Sequence, residues 1–137
     1  MKHLKHIAAA LFLLSFLLPA YRPDHEVYSG WECIEFCFGV FSGDAMKGGW
    51  RFYYFGFVAT NLLFALIWGF SIQKKYRYRC AWISLLPLSH VLSWLVINFM
   101  ERGRHGRLLV DYGYYVWLAA FALLSASLFI NKDEDGA

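Results

Sequence analysis

The chain has 137 residues, of which 59% are hydrophobic, 20% aromatic and only 17% charged. A typical soluble domain carries about 25% charged residues, and a core this small cannot bury 6 Trp, 9 Tyr and 13 Phe. The composition therefore excludes an ordinary water-soluble domain and favours a membrane protein. The net charge of +3 is too small to indicate nucleic acid as a partner.

Four apolar stretches approach the length of about 20 residues that a membrane-spanning helix needs. The first, residues 4–20, has the basic flank and the apolar core of a signal peptide. Leu18 stands where a cleavage site needs a small residue, so we interpret this stretch as an uncleaved first span. The remaining spans are predicted at residues 50–72, 80–100 and 108–130.

These stretches predict an all-α protein, an integral membrane four-helix bundle formed by a single domain over residues 1–137. Four cations, Lys74, Lys75, Arg77 and Arg79, crowd the short connection between the second and third spans. Cytoplasmic loops carry an excess of Lys and Arg. We therefore expect a multi-pass protein of the bacterial inner membrane with both termini in the cytoplasm.

The connection between the first two spans, residues 21–49, is long for a helical bundle. Its middle, Gly30 to Ser42, reads GWECIEFCFGVFS, which is too short to cross a bilayer and too apolar to lie in water. We predict an interfacial or re-entrant segment at the outer face of the bundle.

Polar residues inside the spans indicate a candidate site, because such residues are costly in lipid. His90, Trp94 and Asn98 share one face of the third span, and Asn61 lies at a similar depth in the second. The sequence predicts a hydrogen bond between Asn61 and His90. Such a bond would serve helix packing, and the functional alternative is proton transfer or ligand binding.

Three arginines of the second outer loop, Arg102, Arg104 and Arg107, are candidate contacts for anionic lipid or for a partner. Arginine and lysine are less common in outer loops than in cytoplasmic loops, so we expect a contact that stabilises these arginines. The alternative is pairing with carboxylates of the first outer loop.

Cys33 and Cys37 lie in the first outer loop, and Cys80 lies at the opposite end of the bundle. A spacing of four residues places both thiols on one helix face, where a disulfide would be strained, and no zinc pattern accompanies them. The cysteine pair resembles that of quinone-linked disulfide-forming membrane oxidoreductases. Those proteins use Cys-x-x-Cys and a second cysteine pair, neither of which occurs here, so apolar burial is the favoured interpretation.

Three stretches carry a second resemblance, namely SGWEC at Ser29 to Cys33, the aromatic-rich span that contains Asn61, and GYYVWLAAF at Gly113 to Phe121. Together they are similar to small uncharacterised bacterial four-span inner-membrane proteins. The resemblance implies the fold and the location. It implies no reaction and no residue role.

No catalytic triad, phosphate-binding loop or metal-ligand spacing occurs in the sequence. We therefore expect a small membrane protein without a catalytic centre, cofactor or metal, acting as an accessory or interaction subunit of a larger membrane complex. Its expected partners are membrane lipids and other membrane subunits or a second copy of the chain. Two alternatives remain open: a quinone-linked thiol oxidoreductase using Cys33 and Cys37, and an immunity protein against a pore-forming toxin.

Overall fold

The computed structural model describes residues 3–23, 26–42, 49–105 and 108–130. This part of the chain is mostly helical, and a 3₁₀ turn at Lys74–Tyr76 precedes the fourth helix. The helices are α1 (Leu4–Ser15), α2 (Gly30–Ser42), α3 (Gly49–Ser71), α4 (Arg77–Ile83), α5 (Leu85–His105) and α6 (Tyr112–Ile130), and the strands are β1 (Pro19–Tyr21) and β2 (Tyr28–Ser29).

Three helical stretches are long and apolar enough to cross a membrane: Gly49–Ser71, Arg77–Glu101 and Tyr112–Ile130. They coincide with the second, third and fourth predicted spans. Large apolar side chains cover their outward faces, with Phe52 72% exposed, Leu62 63% and Leu86 67%. Such exposure is unfavourable in water and normal against lipid, so the protein has the surface of a membrane protein.

The third of these stretches is interrupted once, at Ser84, between α4 and α5. Pro87 explains the interruption, because proline has no N–H to donate to the carbonyl of Ile83 and its ring crowds that carbonyl. The Ser84 N–H still donates to the Cys80 carbonyl at 2.9 Å, and the Leu88 N–H donates to the Ser84 carbonyl at 3.3 Å. The helical path therefore continues across the break.

The first predicted span is shorter than expected. Helix α1 has 12 residues and ends at Ser15 rather than at residue 20, so at 1.5 Å per residue it rises only about 18 Å. Pro19 begins strand β1, and the residue before a proline is pushed away from helical geometry. Three helices rather than four therefore have spanning length in the part of the chain that the structure describes.

A small antiparallel sheet follows α1, which the all-α prediction did not include. Strand β1 pairs with β2 on one side. On its other side Tyr21 bridges to Val110, the Arg22 N–H donates to the Leu109 carbonyl at 2.7 Å, and the Asp111 N–H donates to the Ala20 carbonyl at 2.9 Å. Because this pairing keeps residues 108–111 extended, α6 begins at Tyr112 rather than at the predicted residue 108.

Helix α1 lies antiparallel to α3 and α6. Its Phe12 ring stacks on Phe64 of α3 at 4.0 Å between ring centroids and meets Phe121 of α6 edge-on at 6.0 Å. At the start of α6, a Cβ on Gly113 would lie 2.7 Å from the Leu18 carbonyl oxygen. Only glycine allows this approach, so the end of α1 and the start of α6 are held together by backbone contact.

Helix α2 occupies the predicted interfacial or re-entrant segment, Gly30–Ser42. Its first turn has a capping box, in which the Glu32 carboxylate accepts hydrogen bonds from the Ser29 N–H and hydroxyl, both at 2.7 Å. The helix packs on α3, where the Arg51 Nε donates to the Val40 carbonyl at 3.4 Å. Helix α2 therefore lies against the first half of α3.

Candidate functional site

A cavity of about 350 Å³ lies beneath α2. Helix α2 forms one wall, and α3, α5, α6 and the β1–β2 hairpin form the others. Half of the lining side chains are aromatic, and none of them is Lys, Arg, Asp, Glu or His. The cavity is lined by Ser15, Phe16, Ala20, Tyr21, Pro23, Tyr28, Gly30, Cys33, Ile34, Phe36, Cys37, Tyr54, Phe57, Asn61, Trp94, Gly113, Tyr114 and Trp117.

The side of the cavity opposite α2 is a continuous aromatic surface made by three helices. Trp94 of α5 lies 5.9 Å, between ring centroids, from both Tyr54 and Phe57 of α3, and each contact is edge-to-face. Phe57 in turn lies 5.9 Å from Trp117 of α6. The arrangement brings side chains that are far apart in sequence into one surface, which we call the aromatic floor: Tyr54, Phe57, Trp94 and Trp117.

Asn61 lies beside this floor and is hydrogen-bonded twice. Its Nδ2 donates to the Phe57 carbonyl at 2.8 Å, and its Oδ1 accepts from the Trp117 Nε1 at 2.9 Å. The predicted hydrogen bond between Asn61 and His90 is therefore wrong. The partner is a tryptophan of α6, and the effect of the pair is to fix the Trp117 ring in the floor.

The helix register explains why His90 does not reach Asn61. His90 packs directly against Gly56, where an added Cβ would lie 2.7 Å from the His90 Nε2. Asn61 is five residues farther along α3, which is about 7.5 Å at 1.5 Å per residue. The imidazole contacts the rings of Tyr53 and Phe57 instead, at 4.9 and 4.5 Å, and its Nε2 is buried without a partner among the described residues.

The other predicted site residues divide into two groups. Trp94 lines the cavity, whereas Asn98 is buried one turn away and donates to the Trp94 carbonyl at 2.9 Å. The side chains of Arg102 and Arg104, and the whole of Arg107, lie outside the described residues. Of the predicted intramembrane site, the structure thus brings Asn61 and Trp94 to the cavity and leaves His90 and Asn98 in the helix packing.

The carboxylates proposed as partners for those arginines bond within their own segment. The Tyr28 hydroxyl donates to Glu26, and the Trp31 Nε1 donates to Glu35 at 2.9 Å. Glu32 serves the capping box, and its hydrogen bonds from Ser29 lower the pKa of that carboxyl. Each of these three carboxylates, Glu26, Glu32 and Glu35, therefore has a hydrogen-bond partner within its own segment.

Cys33 and Cys37 both line the cavity from α2, and both are free thiols. Burial raises the pKa of each thiol to about 12. Residues four apart on a helix have Cβ atoms about 5–6 Å apart, whereas a disulfide needs about 3.5–4.5 Å. The pair is therefore protonated near neutral pH and poorly placed to form a disulfide. Among the described residues no group of three metal-ligating side chains occurs.

Two kinds of contributor to the site, a helix-capping motif and two aromatic side chains, were missed from the sequence. The Ser29-x-x-Glu32 capping box, which starts α2 over the cavity, has a readable signature in a serine followed three residues later by glutamate before an apolar run. Tyr54 and Trp117 have no such signature, because aromatic residues at span ends are expected whether or not they line a site.

No protein-family model, curated protein or solved structure matches this chain. The resemblance to small four-span inner-membrane proteins therefore remains an expectation. What can be said of function rests on the cavity and its lining.

The Asn61–Trp117 hydrogen bond gives the first prediction. Trp117→Phe leaves the Asn61 Oδ1 without its donor, and we expect a loss of about 1–3 kcal/mol of stability. In a double-mutant cycle with Asn61→Leu, the coupling should be about 0.6–1.7 kcal/mol, the range for hydrogen bonds between membrane helices. Thermal or chemical unfolding in detergent measures both. The control cycle, Asn61→Leu with His90→Leu, should give no coupling, and the reverse pattern would contradict this assignment.

The buried thiols give a second prediction, to be measured in a Cys80→Ser background. Maleimide reacts with the thiolate, and both pKa values are raised to about 12, so labelling of Cys33 and Cys37 should rise about tenfold per pH unit up to pH 10. An ordinary thiol, with a pKa near 8.5, levels off above about pH 9. The SDS-unfolded protein serves as the control. A plateau below pH 9 in the folded protein would contradict the burial.

Proposed function

We propose that this chain is a four-span membrane protein without a catalytic centre, whose role is to bind an apolar ligand in the cavity beneath α2 as an accessory subunit of a membrane assembly. The observation that carries the proposal is the cavity itself, an opening of about 350 Å³ with an aromatic floor and no ionisable lining side chain other than thiols and phenols. Ligand sites are typically concave, mostly apolar and about 300–1,000 Å³ in volume.

The chemistry of the lining supports binding rather than catalysis. General acid–base catalysis needs a group whose pKa lies near the working pH, and none of the lining residues is Asp, Glu, His or Lys. Among the described lining residues the two thiols are the strongest potential nucleophiles, and burial keeps both protonated near neutral pH. Quinone-linked thiol oxidation would also need a disulfide across adjacent turns of α2, which helix geometry opposes.

The four-span topology is part of the proposal, although α1 alone is too short to span. Non-helical backbone is tolerated at membrane depth when its polar groups are paired within the protein. Beyond Ser15, the Phe16 carbonyl accepts from the Trp31 N–H at 3.1 Å, and the Leu18 carbonyl accepts from the Gly30 N–H at 3.0 Å. These bonds, continued by the sheet, support the chain crossing the outer half of the membrane without helix.

A third prediction tests this topology. The direction of the chain alternates between successive spans, which are α1, α3, the α4–α5 stretch and α6. With the basic turn at residues 74–79 in the cytoplasm, this alternation places both termini in the cytoplasm. A reporter active only in the cytoplasm should work when fused before Met1 and when fused after Ala137, and it should fail when inserted after Gly48. If only one of the two terminal fusions is active, the number of spans is odd and the four-span topology is wrong.

A fourth prediction tests ligand binding with the apolar photoaffinity probe 3-azioctanol, applied to the protein in lipid nanodiscs. Photolabelling mapped by mass spectrometry should mark cavity residues, Tyr54 and Cys33 among them. Cys37→Phe places a ring in the cavity and should reduce that labelling at least tenfold, whereas Cys37→Ala at the same position should retain it.

Labelling of Leu62, which is exposed on the outward face of α3, provides the internal control in every sample. It reports contact with probe dissolved in the lipid and should be the same in all variants. Equal labelling of the cavity residues in Cys37→Phe and Cys37→Ala would mean that the cavity does not take up the probe, and the proposed function would be wrong.

A further inference from the structure

The four rings of the aromatic floor border the cavity, and none of the described residues that line it is cationic. Aromatic faces carry negative electrostatic potential, and Trp is the strongest of the three aromatic residues in attracting a cation. Two of the four floor residues are Trp and one is Tyr. The floor can therefore attract a positively charged group in addition to contacting apolar groups.

A carboxylate lies directly beyond this floor. Glu101, near the end of α5, borders a second, shallower cleft whose wall includes Tyr54 and Trp94, the same two rings that border the main cavity. This negative charge borders the same cleft as Tyr54 and Trp94 and adds to their attraction for a cation, and the low polarity of the surroundings weakens its screening.

Among the described residues, one cation near the rim of the cavity does not oppose this charge. Arg22, which follows strand β1 at the rim, is paired with Asp111 at 2.8 Å between Nη2 and Oδ2. An anionic ligand would have to break this pair to obtain a counter-ion, whereas a cationic ligand leaves it intact. The charges of these described residues, Glu101 and the Arg22–Asp111 pair, therefore favour positive or neutral ligands over carboxylates and phosphates.

We propose that the cavity binds a lipophilic organic cation, a quaternary ammonium group carrying an apolar substituent. Primary ammonium groups are strongly hydrated and costly to bury, but a quaternary ammonium group has no N–H to lose and is bound in proteins by aromatic cages. The cation lies over the Trp94 face on the side towards Glu101, and the apolar substituent extends towards Trp117. This inference rests on the proposed ligand-binding function and names its ligand class.

The test uses benzyltrimethylammonium and its uncharged carbon isostere neopentylbenzene, each as a competitor of 3-azioctanol labelling in nanodiscs. The two molecules have the same shape and differ in charge. Each affinity is expressed as the ratio between variant and wild type, so that the unequal partitioning of the two competitors into lipid cancels.

In Trp94→Leu we expect the affinity for the cation to fall about five- to thirtyfold, the range of a desolvated cation–π contact, while the affinity for the isostere changes less than twofold. Glu101→Gln, which removes charge and leaves the floor intact, should weaken the cation about three- to tenfold and leave the isostere unchanged. The matched control is Trp82→Leu, since Trp82 is an exposed tryptophan of α4 outside the cavity, and it should alter neither competitor.

Equal losses for the two competitors in Trp94→Leu, together with an unchanged cation affinity in Glu101→Gln, would overturn the cation inference and leave an apolar binding site. If Trp94→Leu does not fold, Glu101→Gln decides alone, since an unchanged ratio there overturns the inference. Failure of 3-azioctanol to label the wild-type cavity is a separate outcome that removes the proposed function and the inference with it.

Discussion

The hydrogen bonds made by the non-helical segment after Ser15 join three of the elements around the cavity, namely α2, strand β2 and the start of α6. This segment pairs with β2 through β1, with residues 109–111 on the other edge of β1, and with the first turn of α2 through the Phe16 and Leu18 carbonyls. Without these partners its backbone would be exposed to a medium that offers no hydrogen bonds. The constraint therefore fixes where α6 begins and where α2 starts.

The cavity follows from that arrangement. Helix α2 is placed against the first half of α3, close enough for the Phe36 and Tyr54 rings to meet at 6.0 Å, while its start is held at the end of α1. The space enclosed beneath it is floored by residues of three long helices, and the Asn61–Trp117 hydrogen bond keeps one ring of that floor in place. Asn61, a polar residue within α3, thus helps to fix the shape of the cavity.

Hydropathy was sufficient to predict the long helices and the separate segment Gly30–Ser42, because their apolar length is a local property. The C-terminal end of α1 and the start of α6 could not be predicted from hydropathy, since the apolar pattern continues into segments that are kept extended by strand pairing between residues about 90 positions apart, Tyr21 and Val110. The partner of Asn61 was also beyond the sequence. The sequence predicted similar membrane depths for Asn61 and His90. The contact between His90 and Gly56 instead places the imidazole more than one helical turn from Asn61.

The contact between α1 and α2 joins the ends of two helix dipoles. The last carbonyls of a helix carry partial negative charge and the first N–H groups of the next carry partial positive charge. Here the Phe16 carbonyl, one residue beyond α1, receives the N–H of Trp31 in the first turn of α2. The opposed partial charges attract each other across this hydrogen bond. Together with the neighbouring bond from the Gly30 N–H to the Leu18 carbonyl, it reduces the number of backbone groups at this junction that need water or a lipid headgroup as a partner.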